Sequence, residues 1–268
     1  MISEINGFKM HFTDEGDGSP VLLIHGFPLC NKMWSPQIKA LTRAGFRVIA
    51  PDLRGFGGSD AGYAPFSIDL LSDDIIALMD HLEIEKAVIG GMSMGGYILL
   101  NLLDRYMDRI SAAVFIVTRS AADDGPGKER RTALADAAMS GRQSVVAEAF
   151  ESVLFGPHVK EDNPKLICKV RQWMDMTSPE ALSEGLRGMR DRPDYRPDLG
   201  RFNIPALVIG GEKDICISPE FSKDIAAGLP DSRLHIMEGV GHMANMEAPD
   251  RFNDCLLSFL SDSPPLAK

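Results

Sequence analysis

Short apolar runs recur along the chain and alternate with segments of helical periodicity. Brief, almost continuous runs of this kind are typical of strands covered on both faces. A helix lies between two of them, where Ser67 can cap a segment whose apolar residues fall on one side. Strand and helix in alternation predict an α/β fold, with a mostly parallel sheet flanked by helices. The runs are residues 21–24, 48–50, 87–89, 112–117, 206–209 and 234–237.

The first residues predict a β-hairpin ahead of this sheet. Residues 2–5 and 8–13 have strand character and are joined by Asn6 and Gly7. Asn-Gly is favoured in the type I′ turn, where both central residues take a positive φ. The chain should therefore open with two antiparallel strands.

One long stretch, residues 119–199, lacks any buried-strand run and reads as helices separated by glycine, proline and charged residues. It is too long for a plain loop, so it must pack on something. Open α/β sheets bind ligands at the carboxyl ends of their strands. We therefore expect a core domain of residues 1–118 and 200–268, with a helical cap of residues 119–199 over that edge.

The net charge and composition of the chain argue against several classes of partner. A formal net charge of −10 disfavours nucleic acid and anionic membrane surfaces. No apolar run approaches the ~20 residues of a membrane helix, and no basic leader precedes an apolar core. The four cysteines form no CxxC pair and no zinc-binding spacing with histidine. We expect a cytoplasmic protein that meets small molecules, needs no metal or cofactor, and is a monomer or a homodimer.

Ser93 lies in the turn Gly91-Met92-Ser93-Met94-Gly95, between the run 87–89 and a helix-forming stretch. A sharp turn from strand to helix forces the serine into a strained conformation, which flanking glycines make room for. The hydroxyl then lies at a helix N-terminus, where free N–H groups favour negative charge. The context predicts that Ser93 is a nucleophile.

A serine hydroxyl needs a base, which a third group must orient. His242 follows the run 234–237 in a glycine-flanked loop, and Asp214 follows the run 206–209. We predict that His242 is the base and Asp214 the acid, because Asp214 comes latest in its loop. Other acids remain as alternatives: Glu212 in the same loop, and Asp123 or Asp124 after the run 112–117.

The remaining histidines lack this setting. We expect surface positions for His11, His81 and His158, and for His235 a position within a strand where it packs or faces a helix. His25 precedes Gly26 after the first buried run, and we expect it to tie this loop to its neighbour.

An acyl-transfer intermediate needs two N–H donors for its oxyanion. The residue after the nucleophile, Met94, should supply one backbone N–H. The other should come from Phe27, since Gly26 permits an unusual backbone and the following proline restricts the ψ of Phe27.

These motifs resemble the α/β-hydrolase family over nearly the whole chain, including its chain order of serine, acid and histidine. Residues 51–60 and 204–208 are similar to further family segments. His-Gly-Phe-Pro with Gly-Met-Ser-Met-Gly-Gly resembles small carboxylesterases, 3-oxoadipate enol-lactonases and cofactor-free haloperoxidase or perhydrolase esterases. Serine at position 93 differs from the aspartate of haloalkane dehalogenases and soluble epoxide hydrolases.

The resemblance implies a serine carboxylesterase that hydrolyses small or medium neutral esters through an acyl-enzyme. Two alternatives remain open: a lactonase of the enol-lactonase type, and a ligand-binding sensor with slow turnover. Arg119 could pair with a substrate carboxylate, which favours the lactonase. The predicted substrate pocket consists of Arg119, Phe150, Leu154, Trp173 and Met189.

Overall fold

The computed structural model describes residues 1–62 and 65–262. An eight-stranded sheet runs in the order β1-β2-β4-β3-β5-β6-β7-β8. All neighbours from β4 to β8 pair in parallel, while β1 with β2 and β2 with β4 are antiparallel. The strands are β1 (Ile2–Ile5), β2 (Phe8–Glu15), β3 (Pro20–Ile24), β4 (Arg47–Pro51), β5 (Ala87–Met92), β6 (Ile110–Ile116), β7 (Ala206–Gly211) and β8 (Ser232–Met237).

Helices connect most of these strands, which gives the predicted α/β fold. Short 3₁₀ helices span Asn31–Trp34, Met107–Arg109 and Arg196–Arg201. The α-helices are α1 (Ser35–Arg43), α2 (Ile68–His81), α3 (Met94–Tyr106), α4 (Gly125–Met139), α5 (Gln143–Leu154), α6 (Val159–Asp162), α7 (Pro164–Asp175), α8 (Pro179–Arg190), α9 (Pro219–Gly228), α10 (Ala244–Glu247) and α11 (Pro249–Asp262). None of the helices within the described ranges is both long and apolar enough to span a bilayer.

The hairpin forms as the Asn6-Gly7 pair predicts. Both residues take a positive φ, 46° for Asn6 and 77° for Gly7. Ile5 then pairs with Phe8 across the turn. Successive side chains of β2 alternate between buried and more exposed positions, so its buried residues complete the core at this end of the sheet.

The central strands are covered on both faces, and their side chains alternate between two apolar clusters. Leu22 and Ile89 pack in one cluster, with residues of α2, α3 and α9. Val21 and Val88 pack in the other, with residues of α1 and α11. This double coverage explains why the sequence of these strands is almost continuously apolar.

The prediction that residues 234–237 are covered on both faces is wrong. They belong to β8, the outermost strand, which borders an open groove beside α11. Leu234 is 42% exposed, and His235 is exposed rather than packed. An edge strand has a neighbour on one side only, so an apolar run alone cannot distinguish it from a central strand.

Five helices, α4 to α8, lie between β6 and β7. Within this insertion α4 packs against α5 and α8, and α5 packs against α7. Leu186 and Met189 of α8 join the apolar cluster that contains Phe27 and Phe56 of the core. The insertion therefore lies against the loops at the carboxyl ends of the central strands. Of the predicted core ranges, residues 63, 64 and 263–268 lie outside the described residues.

Candidate active site

Ser93 has a backbone conformation that residues with a side chain rarely adopt, with φ 53° and ψ −111°. It lies between β5 and α3 and is held by two hydrogen bonds to a single neighbouring segment. The Ser93 N–H donates to Ile116 O at 2.9 Å, and the Thr118 hydroxyl donates to Ser93 O at 2.8 Å. The end of β6 and the residues that follow it thus fix the turn that carries the Ser93 hydroxyl.

The glycines around Ser93 are needed because neighbouring atoms leave no room for a Cβ. They are not needed for their backbone conformation, since none of them has a positive φ. A Cβ on Gly91 would lie well under 3.0 Å from the Gly95 backbone. A Cβ on Gly95 would meet Ile24 O, and one on Gly96 would meet the side chain of Thr118, both also under 3.0 Å. The turn is therefore packed against the backbone of β3 and against the side chain of Thr118. The motif predicted that the glycines make room for the turn, but not which atoms they face.

The two predicted oxyanion donors lie beside this turn. Met94 begins α3, so its N–H has no partner within the helix. A Cβ built on Gly26 would lie 3.3 Å from Ser93 Cβ, which places the Phe27 loop next to the serine. The Phe27–Pro28 peptide bond is cis. Among the described residues, no backbone carbonyl accepts from either the Phe27 or the Met94 N–H.

His25 fixes the Phe27 loop, as the sequence suggested. Its Nδ1–H donates to Gly26 O at 2.9 Å, and its Nε2 accepts from the Leu53 N–H at 2.9 Å. Burial lowers the pKa of His25, against the opposing charge of Asp52, and so favours the neutral ring. A neutral ring with one donor and one acceptor nitrogen satisfies both bonds.

His242 and Asp214 form a buried pair. His242 Nδ1 lies 2.6 Å from Asp214 Oδ2, and both side chains are almost fully buried. The other carboxylate oxygen, Oδ1, accepts from the N–H groups of Cys216 at 2.8 Å and Ile217 at 2.9 Å. Because a carboxylate only accepts, the proton lies on Nδ1 and leaves the Nε2 lone pair free to take a proton.

None of the three alternative acids pairs with His242. Glu212 accepts from the Gly239 N–H at the surface, at 2.9 Å. Asp124 caps α4 by accepting from Gly127. Asp123 binds three arginines, Arg119, Arg131 and Arg192. Of the acids weighed from the sequence, geometry favours Asp214.

A cavity of about 240 Å³ opens beside Ser93. Its wall joins residues of the core with residues of α4, α5 and α8. The residues that line it are Phe27, Ser93, Tyr97, Arg119, Arg130, Arg131, Leu134, Ala149, Phe150, Val153, Met189, Ile215, Cys216 and Ile217. The lining combines apolar side chains with Ser93 and with three arginines, Arg119, Arg130 and Arg131, which we call the cationic wall.

Three of the five predicted pocket residues, Arg119, Phe150 and Met189, line this cavity, but Leu154 and Trp173 do not. Leu154 ends α5 and is buried in the second apolar cluster, where its carbonyl accepts from the Met243 N–H at 3.0 Å. Trp173 packs in the same cluster on α7. The sequence prediction for both was wrong because helix periodicity shows which side chains are buried, not what they are buried against.

The sequence also missed most of the cationic wall. Asp123 binds Arg119, Arg131 and Arg192, and Arg192 Nη2 lies 3.0 Å from Asp123 Oδ1. Burial alone would raise the pKa of Asp123, but hydrogen bonds from Arg192 and Arg131 and their charges bring that pKa to about 2. Three arginines around one carboxylate leave a positive excess. No sequence motif marks such a cluster, since its members come from separate segments.

Cys216 is the second candidate nucleophile on the cavity wall. Burial, together with the charge of Asp214, raises the pKa of its thiol to about 12. A thiol that stays protonated is a poor nucleophile, because the thiolate is the reactive form. In the described part of the chain, no cluster of three or more His, Cys, Asp and Glu side chains could hold a metal ion.

Comparison with known proteins places the chain in a family. The model of the Alpha/beta hydrolase family matches residues 21–255. A solved esterase from Thermogutta terrifontis superposes with a TM-score of 0.95 at 32% identity, covering 98% of this chain and 99% of that one. A 3-oxoadipate enol-lactonase from Acinetobacter baylyi is 32% identical, over 82% of this chain and 80% of its own length. A non-heme chloroperoxidase from Kitasatospora aureofaciens is 30% identical, over 96% and 97%. The chain belongs to the alpha/beta hydrolase family.

Proposed function

We propose that the chain is a serine carboxylesterase that forms an acyl-enzyme on Ser93. The observation that carries this proposal is a strained serine on the wall of a cavity, at the sheet edge that also bears the buried His242–Asp214 pair. Relatives of the chain include an esterase and an enol-lactonase, both of which act on ester bonds.

The proposed reaction is a two-step acyl transfer. His242 Nε2 takes the proton of Ser93 Oγ, which attacks the ester carbonyl. The N–H groups of Phe27 and Met94 stabilise the oxyanion, and His242 returns the proton to the leaving alcohol. Water then attacks the acyl-enzyme by the same route and releases the acid. Asp214 stays ionised and holds the Nδ1–H tautomer throughout.

The cavity suits small or medium acyl and alcohol groups. Its volume of about 240 Å³ lies below the usual range for drug-sized ligands. We propose that the insertion of residues 119–199 serves as the cap of this site, because α4, α5 and α8 supply much of the cavity wall. In this proposal a cytoplasmic enzyme uses the site on small molecules without a cofactor.

A p-nitrophenyl butyrate assay of the wild type, Ser93→Ala and Ser261→Ala tests the proposal. Ser261 is exposed and, within the described part of the chain, its hydroxyl bonds only to its own helix, so its variant controls for loss of a hydroxyl. We expect Ser93→Ala to lose about 10⁶-fold in kcat and the control to lose none. Equal rates for Ser93→Ala and wild type would refute the serine mechanism. Stoichiometric ligand binding with negligible turnover in the wild type would instead support a sensor.

A second candidate, an esterase or lactonase for substrates that carry a carboxylate, is favoured by the cationic wall. Arg119 Nε is buried with no acceptor among the described residues, although its terminal nitrogen binds Asp123. Arg130 lines the same cavity and is exposed. The Thermogutta terrifontis esterase was solved with malate, a dicarboxylate. A carboxylate bound in this cavity would pair with the exposed guanidinium of Arg130.

Paired substrates separate the two candidates. We would compare methyl butyrate with monomethyl succinate, which differs by a terminal carboxylate, in the wild type and in Arg130→Ala. The second candidate predicts that kcat/KM favours the succinate ester by about tenfold and that Arg130→Ala removes this preference. A preference for the neutral ester in both proteins would favour the neutral esterase.

A further inference from the structure

Glu247, at the end of the short helix α10, accepts three backbone hydrogen bonds with one half-buried carboxylate. Oε2 accepts from the Gly241 N–H at 2.9 Å and from the Gly156 N–H at 3.2 Å. Oε1 accepts from the Met243 N–H at 3.2 Å. Two of the three donors directly flank His242, and the third follows α5 of the insertion.

The backbone segments that Glu247 joins are in direct contact. A Cβ on Gly241 would lie well under 3.0 Å from Gly156 N, and one on Gly156 would lie 2.8 Å from Glu247 Oε2. Neither glycine has a positive φ. Glycine is needed at both positions because the two backbone segments lie too close together for a side chain. The Met243 N–H also donates to Leu154 O at 3.0 Å. The loop of His242 is thus pressed against the end of α5, with the Glu247 carboxylate between them.

The loop needs such support because it lies beyond the hydrogen-bonded ladder of β8, which ends at Met237. Asp214 orients the His242 ring through its carboxylate. One anchor of the loop backbone lies beside it, where the Lys213 N–H donates to Val240 O at 2.8 Å. A catalytic group displaced by 1 Å can cost about 10²-fold in rate. The position of the His242 backbone therefore needs a second anchor, and Glu247 bonds on both sides of it.

We propose that Glu247 is a positioning residue that locks the His242 loop to the segment following α5, and so couples the insertion to the catalytic base. This inference rests on the proposed serine mechanism. An amide at position 247 cannot replace the carboxylate, because its one oxygen cannot serve three donors and its NH₂ group would face a backbone N–H.

The first test compares Glu247→Gln with Glu184→Gln. Glu184 is a matched control: it is half-buried, accepts a backbone N–H from Phe66 at 2.9 Å, and does not belong to the cavity lining. With active sites counted by fluorophosphonate titration, we expect Glu247→Gln to lower kcat for p-nitrophenyl butyrate by about 10- to 100-fold. Its KM should stay within about twofold, and Glu184→Gln should change neither.

A second readout follows the His242 ring itself. The proton between His242 Nδ1 and Asp214 Oδ2 lies in a short, charge-assisted bond, so its NMR resonance should be shifted far downfield. We expect this resonance to move or broaden in Glu247→Gln and to stay in place in Glu184→Gln. A lower Tm with unchanged kcat and an unchanged resonance would show a merely structural role and overturn the proposal.

Gly156→Ala provides a second test in case Glu247→Gln does not fold. The new Cβ would lie 2.8 Å from Glu247 Oε2, so it would displace the carboxylate without removing it. We expect a smaller loss, about threefold to tenfold in kcat at constant KM. An unchanged kcat in this variant would contradict the proposed coupling. If Ser93→Ala retained turnover, the serine mechanism itself would fail, which is a separate outcome.

Discussion

The Ser93 turn and the cationic wall face the same cavity but are built in different ways. Backbone contact fixes the turn: Gly91 and Gly95 approach neighbouring main chain too closely for any Cβ. Side chains fix the wall, where Arg119 and Arg131 gather around Asp123 from different segments of the insertion.

In the proposed mechanism, this difference separates the part of the site that carries the reaction from the part that selects the substrate. A backbone-fixed turn admits few substitutions, since a change of one atom meets main chain that cannot move aside. A wall of side chains can exchange residues while the fold persists. We therefore expect changes at the Ser93 turn to affect kcat or folding, and changes in the arginines that line the cavity to affect KM and the choice of substrate. The buried carboxylate of Asp123, which holds these arginines, should instead affect stability.

After Ser93→Ala, the largest effect should come from Asp214→Asn, which removes the acceptor that holds the Nδ1–H tautomer of His242. We expect kcat to fall about 10⁴-fold. Glu212→Gln is the matched control, since Glu212 precedes Asp214 by two residues and bonds at the surface. Steady-state kinetics of both variants check this, and equal losses would mean that the acid is misassigned.

Gly95→Ala should disrupt the turn itself. The new Cβ would meet Ile24 O and lie 3.0 Å from His25 O, so the strand or the helix must shift. We expect more than about 4 kcal/mol of destabilisation in urea unfolding. Gly200→Ala has open space around its Cβ and should change stability by less than about 1 kcal/mol. A mild effect at position 95 would show that the turn is more adaptable than its contacts indicate.

Asp123→Asn should destabilise the wall. It leaves buried Arg192 without its carboxylate, for an expected loss of about 3 kcal/mol in the free energy of unfolding. Asp124→Asn is the control, because asparagine caps a helix about as well as aspartate. Urea unfolding at pH 7 compares them, and equal stability of both variants would contradict the ion-pair account of the wall.

The same carboxylate predicts an acid dependence of stability. The arginines lower the folded-state pKa of Asp123 from 3.8 to about 2 despite its burial. Its contribution, about 2 kcal/mol, is therefore present above pH 3.8 and is lost as the pH falls to about 2. Asp123→Asn should lose less stability than the wild type over that interval. Parallel curves for the two proteins would rule this contribution out.

The smallest effect distinguishes a cavity residue from a core residue on one helix. Phe150 lines the cavity, while Leu154 packs in the second apolar cluster. Phe150→Ala should raise KM for p-nitrophenyl butyrate by about tenfold. Leu154→Ala should lower stability by about 2–4 kcal/mol and leave the ranking of acyl chain lengths unchanged. A change of that ranking in Leu154→Ala would show that Leu154 also contacts the substrate.

The sequence indicated the Ser93 turn and the His242 loop better than the cationic wall, because the turn and the loop depend on local backbone and the wall on distant side chains. A strained turn needs small residues beside it, so the glycines next to Ser93 reveal the turn. Gly239 and Gly241 likewise mark the loop of His242. The edge position of β8 and the place of Leu154 depend on packing between distant segments. Neither the arginines around Asp123 nor the bonds of Glu247 leave a local signal. Such features appear only when the fold brings their members together.

Labelling with a fluorophosphonate, followed by peptide mass spectrometry, tests the central claim most directly. The serine mechanism predicts one adduct per chain, on Ser93. It also predicts labelling slowed by orders of magnitude in Asp214→Asn, where the base loses its orientation. An adduct on another residue, or rapid labelling of Ser93→Ala, would contradict it.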